Sequence, residues 1–185
     1  DGKKFVNPNA VGNHSYWDVL KWWLSGNDKG DWEKLEIDQV QQFAPATNDS
    51  KPQNGQITFV NHMTFLLQID GLNILTDPIW SDRASPYQWI GPKRMRPPGI
   101  DFDALPPIDL VLISYNHYDH LDIRTVKQLD QQYRPEFIVP LGVEKFLHNH
   151  GINNTKQMDW WDQCKSTNNV DLTAVPARHF SGRGL

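Results

Sequence analysis

The chain predicts an α/β domain built in layers, and three observations carry that prediction. Short apolar runs come first: Ile57 to Val60, Phe65 to Ile69 and Leu72 to Thr76 read as strands. Leu110 to Ser114, Phe137 to Val139 and Leu172 to Val175 read as later strands, with helices at Ile123 to Gln132 and Val143 to Asn149 between them. Strands followed by alternation of strand and helix is the order of a sheet covered by helices. Composition completes the argument. At 38% hydrophobic residues, with 8 Trp among 185 residues, the chain holds enough apolar surface for one buried core.

Each element has a local reason. Residues 1–55 form a Trp-rich leader, in which Ser15 to Leu24 carries Trp17, Leu20, Trp22, Trp23 and Leu24 at the spacing of a short helix. These rings favour packing onto the main domain, because large aromatics dominate burial. A lipid-touching surface is the alternative. Asp28 to Trp32 and Asn48 to Gly55 are polar and turn-rich. From Gln56 the main domain, residues 56–185, begins. Asp70-Gly71 is a two-residue hairpin turn between the second and third strands. Asp77 to Pro107 is a long loop rich in Pro and Gly, and a loop of that length inside a compact domain is usually functional. Its basic cluster, Lys93, Arg94 and Arg96, reads as solvated, with an anionic head group as the alternative. Asp122 suits the N-cap of the helix that follows it.

Several function classes are excluded or weakened. The net charge of −4, with no basic stripe, argues against a nucleic-acid surface. Cys164 is the only cysteine, so neither an intrachain disulfide nor a cysteine metal cluster can form. No Gly-x-Ser-x-Gly elbow for a serine hydrolase occurs. No apolar run approaches the roughly 20 residues of a membrane-spanning helix. The first residue is Asp1, so a leader or anchor preceding it is left open, and localisation with it.

The chemistry concentrates after the strand at Leu110. His117, Asp119 and His120 fall within four residues, in the loop leaving that strand. Imidazole and carboxylate groups bunched at a rigid strand end are what a borderline divalent metal such as zinc requires. A polar turn would need no second histidine.

This stretch resembles the His-x-His-x-Asp-His motif of the metallo-β-lactamase superfamily, with Tyr115 standing where the first histidine falls. Ile57 to Pro78 is similar to that family's opening hairpin. Ser81 to Pro86, Gly91 to Arg94 and Val175 to Leu185 resemble the branch of the N-acylphosphatidylethanolamine-hydrolysing phospholipase D and its bacterial relatives. The resemblance implies the N-terminal half of an αββα sandwich. It also implies one or two zinc ions, with iron or manganese as alternatives. His117 and His179 would serve the first metal, and Asp119 and His120 the second, the latter pair also acting in catalysis. Asp77 resembles an acid that orients a ligand, with a turn acid before Pro78 as the other reading. His62 matches a position lining the site, or is a packed histidine. His14, His148 and His150 match nothing in the pattern.

The implied reaction is metal-dependent hydrolysis of a phosphodiester, with a phospholipid as the substrate and peripheral membrane contact as its companion. Two departures bear on it. A phenol with an ordinary pKa of about 10 is a costly zinc ligand, which should weaken the first site. The bridging Asp, the last His and the second half of the sandwich are not in the 185 residues. The expectations are therefore a fragment with weak activity or none, and an apolar sheet face covered by a second copy, another chain or a missing C-terminal half. The alternative is a catalytically degenerate domain of the same fold that binds or assembles. A sugar-phosphate lactone or a nucleic acid as substrate is a third reading.

Overall fold

A computed structural model describes residues 15–25, 55–177, 179 and 181–183. The chain divides into two compact units, Asp1–Asp38 with Ala177–His179, and Gln39–Pro176 with Phe180–Leu185. In the smaller unit, the leader helix expected from the tryptophans forms as α1 (Tyr16–Ser25). Its start is a reciprocal cap: Ser15 N donates to Asp18 Oδ2 at 2.8 Å, and Asp18 N donates to Ser15 Oγ at 3.3 Å. Trp17 and Leu24 are exposed, while the side chains of Trp22 and Trp23 lie outside the described residues.

The larger unit is built on a six-stranded mixed sheet in the order β1-β2-β3-β4-β5-β6. Its strands are β1 (Gln56–Asn61), β2 (Thr64–Ile69), β3 (Leu72–Thr76), β4 (Leu110–Leu112), β5 (Glu136–Pro140) and β6 (Thr155–Met158). The first three pair antiparallel, and β3 through β6 pair parallel. Asp70 and Gly71 both have positive φ, the conformation a two-residue turn needs to match strand twist. Helices α2 (Ile123–Tyr133) and α3 (Val143–His148) cross between parallel strands. A small hairpin, β7 (Gln163–Lys165) with β8 (Asp171–Thr173), follows.

The two faces of the sheet are treated differently. Leu66, Leu75, Val111, Phe137 and Val139 point into a core closed by Val126 and Leu129 of α2 and Val143 and Leu147 of α3. On the opposite face, Ile74, Leu110, Ile138 and Met158 are covered by Cys164 and Leu172 of the small hairpin. Among the described residues that cover stops short of β1 and β2, where Ile57, Phe59 and Ile69 are exposed.

The long loop is less solvated than its composition suggests. Ile100, Leu105 and Ile108 are buried in the main core, and Trp80 Nε1 donates to the Ile100 carbonyl at 3.0 Å. Arg94 corrects the reading of the basic cluster as solvated. Its side chain turns inward, with Nε 3.1 Å from the Ser81 carbonyl, and burial lowers its pKa. Lys93 and Arg96 do stay exposed.

Candidate metal centre

The parallel strands β3 and β4 end side by side, and the site is assembled where they stop. Asp77 follows β3 with φ of +38°, a left-handed conformation that Asp tolerates better than most residues. The turn is held by Asp77 N donating to the Leu112 carbonyl at 2.9 Å and by Thr64 Oγ1 donating to the Asp77 carbonyl at 2.6 Å. The buried carboxylate is thereby aimed at the end of β4. It accepts from Ser114 N and Ser114 Oγ, each at 2.7 Å, and from His120 Nδ1 at 2.8 Å. Asp77 thus does more than cap its own turn.

His120 is only 4% exposed. With Nδ1 donating to Asp77, its Nε2 is left as the acceptor. Tyr115 Oη lies 2.5 Å from that nitrogen. Burial, then the carboxylates of Asp119 and Asp77, push the phenol above its ordinary pKa, so it stays protonated and donates. Asp119 Oδ2 lies 3.6 Å from the same nitrogen and 2.9 Å from His62 Nε2. His62 reaches the site from the turn between β1 and β2, also with positive φ.

Among the described residues, His62, Asp119 and His120 form a group able to hold a metal ion, one ligand atom from each lying within 4.8 Å of the others. Two imidazoles and one carboxylate are a donor set that zinc and non-haem iron both accept. By donor chemistry and spacing, the residues fit a divalent metal. His117 is half-buried beside Tyr115, ring centroids 4.9 Å apart, and does not belong to that group. Its carbonyl accepts from His120 N and Leu121 N, which forms the turn into α2. His179 is exposed and belongs to the smaller unit.

Two supports escaped the sequence. Ser114 holds both Asp77 oxygens, and only its place at the strand end hints at this. The second support is Arg183, which pins the motif loop from behind. Its Nη1 donates to the carbonyls of Asn116 at 2.9 Å and Leu121 at 2.7 Å. The guanidinium also stacks 4.5 Å from the ring centroids of both Tyr118 and Phe146. Burial lowers its pKa, against Tyr118 and Asp122, which hold it up. A cavity of about 250 Å³ opens beside this loop, with Arg83, Arg124, Arg183 and His150 among its lining.

Residues 72–185 match a family model described as a β-lactamase superfamily domain. The chain belongs to the metallo-β-lactamase superfamily. An uncharacterised protein of Mycobacterium tuberculosis is 46% identical over 130 residues, covering 70% of this chain and 35% of that protein. The N-acyl-phosphatidylethanolamine-hydrolyzing phospholipase D 1 of Caenorhabditis elegans is 36% identical over 137 residues, covering 69% and 38% respectively. The chain therefore spans little more than a third of the length of these curated relatives. A metallo hydrolase from Ignicoccus hospitalis superposes with a TM-score of 0.50 at 19% identity, covering 70% of this chain and 51% of that one. That likeness bears on fold alone.

Proposed function

We propose that this chain carries metal-ligating residues of a hydrolase that cleaves a phosphodiester, with a phospholipid as the substrate class. The observation that carries the reading is the His62, Asp119 and His120 group, with His120 locked in one tautomer by Asp77. A divalent metal held there supplies a Lewis acid and a means of activating water. The protein's own part is to present Nε2 of His120 and the Asp119 carboxylate from a turn that Arg183 and Ser114 keep rigid. His117 remains a ligand that the family resemblance assigns to a further metal. The arginine-lined cavity beside the motif supports an anionic substrate, and the named C. elegans relative supports a phospholipid.

Metal content and phosphodiester hydrolysis test this. The expected result is at least one zinc or iron per chain, hydrolysis abolished by chelation, and both lost in His120→Ala. Metal that persists undiminished in His120→Ala would overturn the assignment.

One observation favours a second reading, a degenerate binding domain. The Tyr115 hydroxyl already occupies the Nε2 lone pair that a metal must take. Tyr115→Phe separates the two, because it vacates that lone pair without adding a ligand. A metal-free protein that stays metal-free as Tyr115→Phe is degenerate. One whose metal uptake rises is a restrained hydrolase.

A further inference from the structure

The segment between Asp82 and Arg94 is a built loop rather than a slack one. Arg83 and Lys93 form an antiparallel bridge, flanked by Ala84 N donating to the Pro92 carbonyl at 3.0 Å and Arg94 N to the Asp82 carbonyl at 2.8 Å. Gln88 clasps the inside, accepting from Arg83 N and donating to the Arg83 carbonyl, both at 3.1 Å. Gly91, with φ of +106°, closes the arch where a Cβ would meet that of Ser85 at 2.7 Å, so only glycine fits.

This fixed arch holds its largest apolar side chains out in water. Trp89 is 76% exposed, and Tyr87 and Ile90 about half exposed, with the Tyr87 and Trp89 rings 5.8 Å apart. Met95 follows at 79%. Single exposed apolar residues need no explanation, but four on one ordered loop mark a contact surface. Charge says what it contacts. Residues 82–96 hold four basic side chains and one acid, a local balance of +3 in a chain of −4. Lys93 and Arg96 stand exposed at the base of the tip, Arg96 lying 5.1 Å from the Phe59 ring centroid. Lysine is depleted at protein interfaces, whereas an aromatic tip with cations behind it matches a bilayer, whose interface takes Trp and Tyr and whose anionic head groups attract Lys and Arg.

We propose that the Tyr87–Ile90 tip, backed by Lys93 and Arg96, docks the protein on an anionic lipid surface. The arch also walls the arginine-lined cavity, through Arg83, Ser85, Pro86 and Gln88, so a docked tip holds that wall of the cavity near the head groups. The purpose of docking rests on the phospholipid reading above, but its measurement does not.

The test is co-sedimentation of the 185-residue chain with vesicles, in chelator, so that no turnover is involved. Vesicles of phosphatidylcholine with about a quarter phosphatidylglycerol are compared with phosphatidylcholine alone. The wild type should bind the anionic vesicles more tightly. Trp89→Ser/Ile90→Ser should weaken that binding roughly tenfold or more, and Lys93→Gln/Arg96→Gln roughly tenfold with a flatter salt dependence. Circular dichroism verifies that both variants keep the fold, as substitutions at exposed positions should. Absence of wild-type binding, equal binding to both vesicle types, or binding unchanged in the tip variant each overturns the proposal. Lost hydrolysis with intact vesicle binding sinks only the phosphodiesterase reading.

Discussion

The two faces of the central sheet differ in what the chain supplies to them. One is finished: Phe137, Leu66 and Val111 are fully buried in a core that α2, α3 and the long loop close together. Among the described residues, the other is covered only beneath the small hairpin, and Ile57, Phe59 and Ile69 of β1 and β2 are exposed on it. The candidate metal centre hangs from the finished side. Its motif loop leads straight into α2, whose N-cap Asp122 accepts from Arg124 N and Ser81 N and so ties the long loop to the same helix. A strand end can hold side chains to a few tenths of an ångström only if the strand itself is rigid. Stability and site are therefore coupled on one face and nearly independent on the other.

The largest expected effect comes from breaking that contrast directly. Phe137→Ala removes the largest fully buried side chain among the described residues and should cost about 3–5 kcal/mol. Ile57→Ala, at a position 66% exposed, should stay within about 0.5 kcal/mol. Urea denaturation of both variants measures the difference. Similar losses would mean that the Ile57 face is as closed as the other in solution.

A smaller effect, confined to the site, is expected at Asp77. Asp77→Asn keeps an acceptor for Ser114 N but turns an amide donor toward His120 Nδ1. The ring must then accept there and carry its proton on Nε2, the nitrogen a metal needs. Stability should fall by about 1–2 kcal/mol, while metal affinity falls roughly 10–100-fold. Competition with a chelator reads the affinity, and melting reads the stability. Unchanged affinity would show that Asp77 does not set the His120 tautomer.

What was legible in the sequence follows the same division. Elements with strong apolar periodicity were readable: β1 to β3 with their Asp70-Gly71 turn, and α2, whose N-cap Asp122 and end at Tyr133 lie within a residue of the expected span. β6 and β7 were missed because Thr155–Met158 and Gln163–Lys165 are mostly polar. They are strands by backbone pairing, and Met158 is the single buried side chain between them. The expected strand Leu172 to Val175 instead runs Asp171–Thr173, opposite β7. At the site, the local cluster His117, Asp119 and His120 could be seen, since a strand end places neighbours together. The pairing of His62 with Asp119 could not. They are 57 residues apart, and a left-handed turn that no pattern announces aims the histidine. Arg183 was hidden too, because its hydrogen bonds go to backbone carbonyls 67 and 62 residues away.

The smallest expected effect lies on the finished side, where Tyr133 of α2 ties down the end of the long loop. Its hydroxyl donates to the Leu105 carbonyl at 3.0 Å and accepts from Gln132 Nε2 at 3.0 Å. Burial, then Asp103, raises the phenol's pKa, and the Gln132 hydrogen bond offsets part of the rise. A folded-state pKa above the unfolded value of about 10 means the neutral form is the one that stabilises. Its contribution is complete below about pH 10 and is lost as pH climbs through the folded value. Tyr133→Phe should therefore cost about 1 kcal/mol at neutral pH, the worth of one hydrogen bond. The gap to wild type should close above about pH 10, because a phenolate cannot donate to Leu105. Melting curves of both proteins across the alkaline range measure that gap. One that widened instead would mean the phenolate is stabilised in the fold, with the Gln132 amide outweighing burial and Asp103.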